Sequence, residues 1–72
     1  MKNIKATVGK RLKESRQAKQ MTQKQVAALL NMTQQQYSRF ENSIYELDYQ
    51  QLYILCKLFD VSSDYLLGLS EF

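Results

Sequence analysis

The 72-residue sequence contains no histidine and no proline, a single cysteine and two glycines. Each shortage excludes something. With histidine absent and Cys56 standing alone, a zinc site lacks its usual ligands. A Ser-His or Cys-His catalytic pair cannot be assembled at all. A lone cysteine forms no internal disulfide, which fits a reducing, cytoplasmic setting. No apolar run approaches the roughly 18 residues of a membrane span, and the first residues lack a signal-peptide core, so no membrane partner is expected. Glycine occurs only at Gly9 and Gly68, which leaves no flexible linker or low-complexity segment. The expectation is one small domain over residues 1–72, near the lower limit of what folds without staples. No metal, cofactor or small-molecule ligand is expected, and no acid-base or nucleophile constellation supports an enzyme.

What is present is unevenly spread. Residues 1–42 hold nine lysines and arginines against two acids, Glu14 and Glu41, a net of +7. Residues 43–72 hold Lys57 against the five acids Glu46, Asp48, Asp60, Asp64 and Glu71, a net of −4. A basic half joined to an acidic half suggests a polyanion partner for the first and a different contact for the second.

Strand alternation is absent, so the pattern is all-helical. A first helix is predicted from Thr7 to about Lys19, with Val8, Leu12 and Ser15 on one side. Met-Thr-Gln then occurs twice, at residues 21–23 and 32–34. Thr22 is followed three positions on by Gln25, and Thr33 by Gln36. Both pairs are capping boxes, in which the threonine oxygen accepts an orphan backbone N–H and the glutamine reaches back. Asp48 with Gln51 obeys the same rule, and Ser62 with Asp64 opens a further helix. Helices are therefore predicted to start near Gln23, Gln34, Tyr49 and Ser63. The second ends by about Leu30, leaving Asn31, a good residue for a left-handed turn, and Met32 as connection. Two short helices so joined form a helix-turn-helix at about residues 22–42.

On the helix after Thr33, residues Gln34, Ser38, Asn42, Gln35 and Arg39 share an arc of about 140°, while Tyr37 and Phe40 lie on the other side. An ordinary solvent face favours lysine and glutamate. This one offers planar, directional hydrogen-bonding groups: glutamine pairs bidentately with adenine and arginine with guanine in the major groove. Base reading is the favoured interpretation.

The run TQKQVAALLNMTQQQYSRFEN resembles the helix-turn-helix of the lambda-repressor-like (Cro/Xre-type) DNA-binding proteins. The matching residues are Thr22, Gln23, Ala27, Thr33, Glu41 and Asn42, and the resemblance extends over about residues 8–69. It implies a compact five-helix domain that binds duplex DNA. It also implies roles for single residues. Gln34, Gln35, Ser38 and Arg39 would contact bases. Gln23, at a helix start, would contact a phosphate, as would Thr33, Asn42 and Arg16. Arg16 would also pair with Glu41, locking the first helix to the third. The sequence departs from the family pattern at Gln20, Asn31 and Ser43, each standing where glycine is usual. The loop Ile44-Tyr45-Glu46-Leu47-Asp48 lacks the cations that many relatives carry there, which removes expected phosphate contacts.

In the acidic half, Leu52, Leu55, Cys56 and Phe59 share one side of the fourth helix, so Cys56 is expected to be a buried small hydrophobe. Ile54 points away from that side. With Leu66, Leu67, Leu69 and Phe72 near the end of the chain, it forms a candidate dimer interface. The combined expectation is a cytoplasmic, sequence-specific transcriptional regulator, a repressor, acting as a homodimer on a pseudo-palindromic operator. A protein-binding or antitoxin-like partner module is the alternative.

Overall fold

Polar side chains set where the helices begin. The computed structural model describes residues 3–72; Met1 and Lys2, the latter one of the cations counted in the basic half, lie outside the described residues. Five helices follow one another: α1 (Ile4–Ala18), α2 (Gln23–Leu29), α3 (Gln34–Glu41), α4 (Tyr49–Phe59) and α5 (Ser63–Leu67), with no strand among the described residues. Thr22 Oγ1 accepts the Gln25 N–H at 3.0 Å while Gln25 Oε1 accepts the Thr22 N–H at 2.9 Å. Thr33 and Gln36 repeat this at 3.1 and 2.9 Å, and Asp48 and Gln51 at 2.7 and 2.9 Å. Ser62 Oγ accepts the Tyr65 N–H at 3.1 Å, and Asp64 sits in that first turn. The first helix starts three residues before the predicted Thr7. Its cap is Asn3, whose Oδ1 accepts the Ala6 N–H at 3.0 Å. Alanine at position 6 leaves no reciprocal box, so the cap lacked its sequence signature.

The helix ends follow one rule as well. Gln20, Asn31, Ser43, Asp60 and Gly68 are all left-handed, with φ of 57°, 60°, 64°, 56° and 84°. The next N–H reaches back five positions each time: Met21 to Arg16, Met32 to Ala27, Ile44 to Arg39, Val61 to Cys56 and Leu69 to Asp64. This is the Schellman closure, which wants an apolar residue at the last position, and all five have one. Met21, Met32 and Val61 use it to pack on the core, while Ile44 and Leu69 remain exposed. The strained position after α3 is Ser43, and Asn42 keeps an ordinary φ of −87°.

Leu12, Val26, Ala27, Tyr37, Phe40, Leu55, Phe59 and Leu66 form the buried core, to which every helix contributes. α3 packs on α2 and α1, and α5 packs on α1 and α4. The approach of α1 to the end of α3 is set by Gly9. A Cβ there would stand 2.6 Å from the Glu41 carbonyl oxygen and 2.9 Å from that of Phe40. Two expectations need correcting. Leu66, assigned to a dimer surface, is 0 % exposed, because α5 turns it inward between its two neighbours. Cys56 is half-buried at the core's edge and not enclosed; burial still pushes its thiol pKa up, in keeping with an unreactive role. Ile54 and Leu67 are half-buried, and Leu69 and Phe72 are exposed. No helix among the described residues is long and apolar enough to cross a membrane.

Candidate nucleic-acid interface

The two apolar positions of α3 orient the rest of it. Tyr37 and Phe40 are buried, their rings 6.4 Å apart and edge to face, and they turn the opposite side of the helix outward. Gln34, Gln35 and Arg39 are exposed there, and Ser38 is half-buried. With Gln23 from α2 these four residues line one open depression. Asn42, exposed at the end of α3, donates from Nδ2 to Ser38 Oγ at 3.0 Å, which leaves the serine hydroxyl proton free to donate outward. Thr33 is exposed with its oxygen engaged in the cap.

Behind this surface lies a charged network. Arg16 Nε donates to Glu41 Oε2 at 2.7 Å and its Nη2 to Oε1 at 3.1 Å, while Nη1 donates to the Met21 carbonyl at 2.9 Å. Gln23 Nε2 donates to Glu41 Oε1 at 3.0 Å. Burial pushes the Glu41 carboxyl up, but hydrogen bonds from Arg16 and Gln23 and the arginine charge outweigh it and hold its pKa below the ordinary value. The same carboxylate raises the Arg16 pKa against desolvation. The fully buried Tyr37 phenol is pushed well above its usual range, first by burial and then by Glu41 nearby, without meeting a partner in good hydrogen-bond geometry. Arg16 thus joins α1 to the end of α3 with three of its five guanidinium N–H groups engaged. Gln23 is half-buried, with its amide donating to Glu41, and it lines the depression.

The basic half is also less free than its charge count suggests. Arg11 Nη1 donates to the carbonyls of Tyr65 and Ser70, the latter at 2.6 Å, and its guanidinium carbon lies 4.5 Å over the Tyr65 ring. That clamp joins residues more than fifty positions apart, and no local pattern signals it. Sequence reasoning also missed Tyr45, whose ring lies 5.5 Å from the Arg39 guanidinium carbon. Among the described residues no cluster of three or more His, Cys, Asp or Glu side chains could hold a metal.

A family model described as helix-turn-helix matches residues 12–66, which takes in the second half of α1, the capped pair α2 and α3, all of α4 and most of α5. The chain belongs to the Cro/Xre-type helix-turn-helix family. Helix-turn-helix domains of this kind are binding modules, and the matched segment is not an enzyme. Among similar proteins is the HTH-type transcriptional regulator ImmR of Bacillus subtilis (strain 168), 43 % identical over 65 residues, covering 90 % of this chain and 51 % of that protein. Another is the uncharacterized HTH-type transcriptional regulator YobD of the same strain, 34 % identical over 61 residues, covering 85 % of this chain and 54 % of that one. The chain spans about half the length of these curated relatives.

Proposed function

We propose that the chain is a sequence-specific duplex-DNA-binding transcriptional regulator, a repressor that lays α3 in the major groove and occludes a promoter in the cytoplasm. One observation carries this reading: Gln34, Gln35, Ser38 and Arg39 present directional hydrogen-bonding groups on a single exposed face. Gln34 and Gln35 suit adenine edges and Arg39 a guanine edge. Gln23, Thr33 and Asn42 flank that face and suit phosphate contacts, which fix register but carry no sequence information. The names of both relatives support the regulatory role. A lone helix-turn-helix contacts few base pairs, so the proposal includes a homodimer on a pseudo-palindromic operator.

The test is selection of bound duplexes from a random pool, followed by titration of variants on the selected site and on random DNA. Gln34→Ala and Gln35→Ala should each lose roughly 1–3 kcal/mol of discrimination at one adenine-containing position, with little loss on random DNA. Arg39→Ala should relax a guanine position. Equal losses on selected and random duplexes for all three would remove α3 from sequence recognition.

A further inference from the structure

Arg39 is tied twice to the loop that follows its own helix. Its carbonyl oxygen accepts the N–H of Ile44 at 2.8 Å and of Tyr45 at 3.2 Å. Its guanidinium carbon lies over the Tyr45 ring, 5.5 Å from the centre, within cation–π range. Tyr45 is 50 % exposed and belongs to no part of the core. A tyrosine kept at the surface, with its backbone anchored on the residue it touches, calls for a reason other than burial.

We propose that Tyr45 is a positioning residue for base reading: its ring holds the Arg39 guanidinium in place at the depression beside Gln35 and Ser38. The inference rests on the proposed DNA-binding reading. The chemistry favours a ring over a carboxylate in this role. Glu41 shows the alternative, because it occupies the N–H edge of Arg16. A ring attracts the delocalised charge without claiming those donors, so the fork that pairs with guanine O6 and N7 stays available. Among the described residues no carboxylate pairs with Arg39. An unheld arginine gives up rotamer freedom on docking, a loss of roughly tenfold in affinity. A side chain already resting on a ring has part of that ordering done in the free protein. The contact is exposed and therefore weak enough to adjust when a base edge arrives. The expected gain is about two- to fivefold.

The experiment titrates a selected operator, and the same duplex with the guanine assigned to Arg39 replaced, against Tyr45→Phe, Tyr45→Leu, Arg39→Ala and the Tyr45→Leu/Arg39→Ala double variant. Tyr45→Phe should bind as the parent does. Tyr45→Leu should weaken operator binding about two- to fivefold, lose most of that effect on the altered duplex, and add nothing in the Arg39→Ala background. Melting without DNA should be nearly unchanged, since the ring is outside the core. Three results would overturn the inference. Tyr45→Leu could be silent while Arg39→Ala weakens binding. Its loss could persist undiminished without Arg39, which would make Tyr45 an independent DNA contact. Tyr45→Phe could lose as much as Tyr45→Leu, which would make the hydroxyl the contact. If Arg39→Ala itself leaves specific binding intact, the base-reading role of Arg39 fails first and takes this inference with it.

Discussion

Arg16 and Glu41 meet edge to edge in a bidentate pair, with side chains only 12 % and 2 % exposed. The pair spans α1 and the last residue of α3, so it helps fix the tilt of the helix that carries Gln34, Gln35 and Arg39. Removing one partner of such a pair strands the other charge in a dry site. Arg16→Ala should therefore cost about 3–5 kcal/mol, far above an exposed ion pair. Replacing both residues with methionine should cost less, because no buried charge remains. Urea unfolding of the DNA-free protein checks this; an unchanged midpoint for Arg16→Ala would show that the pair contributes nothing to folding.

The same pair sets an acid limit. The Glu41 carboxyl is held below its ordinary value of 4.5 in the folded protein, so the folded state binds its proton more weakly than the unfolded chain. The resulting stabilisation is fully present above the ordinary value and is lost as pH falls from there through the folded one. Melting curves from pH 7 down to pH 3 should drop more steeply for the parent than for Glu41→Gln, which has no carboxylate to protonate. Parallel curves would remove Glu41 from the acid response.

Gly9→Ala pits two effects against each other. Alanine in a helix gains about 1 kcal/mol over glycine. Its Cβ, however, would meet two backbone carbonyl oxygens, on Glu41 and Phe40, at 2.6 and 2.9 Å, and these cannot swing aside as a side chain can. Overpacking of this kind costs about 1–3 kcal/mol and should win. A lower melting temperature is expected, and a higher one would mean that α1 and α3 separate without penalty.

How much of this was legible in sequence depended on how local the cause was. The starts of α2, α3, α4 and α5 lie where Thr22, Thr33, Asp48 and Ser62 predict them, because a cap and its partner are three residues apart. The helix ends were harder, since Gln20 and Ser43 occupy left-handed positions that glycine usually marks. The apolar residue closing each end, from Met21 to Leu69, was a readable signal that went unused. Gly9 and Arg11 act on groups some thirty and more than fifty residues away, beyond any periodicity argument. Leu66 was misassigned because a five-residue helix is too short for its apolar positions to define an inner face.

Those unmarked ends make a stability test of their own. Gln20 is exposed and left-handed at φ 57°, where a Cβ costs about 1–2 kcal/mol and glycine's extra chain entropy returns part of the difference. Gln20→Gly should stabilise the domain by about 0.5–1 kcal/mol. Asn31→Gly should gain less, because asparagine already tolerates this conformation. Thermal melts of the two variants side by side decide it, and destabilisation by Gln20→Gly would contradict the assigned strain.

The dimer proposal must be tested without disturbing the fold, and the structure changes how. Trimming residues 69–72 would remove the Ser70 carbonyl and the Glu71 carboxylate, 3.7 Å from Arg11, and so break the Arg11 clamp on α1. Point changes at exposed residues are cleaner. Phe72 is 95 % exposed, Leu69 is exposed beside it in sequence, and Ile54 and Leu67 are half-buried, so these four remain as the candidate self-complementary surface without Leu66. Leu69→Asp combined with Phe72→Asp, or Ile54→Lys, should weaken self-association and cooperative binding to half-sites about 34 Å apart. Affinity for an isolated half-site should barely change, because none of these residues lines the Gln34–Arg39 depression. Leu66→Asp should instead unfold the domain, since it would place a charge in the core. Sedimentation of the free protein, paired with titration of full and half sites, separates these outcomes. A parent protein that stays monomeric at high micromolar concentration and binds both sites without cooperativity would end the dimer proposal.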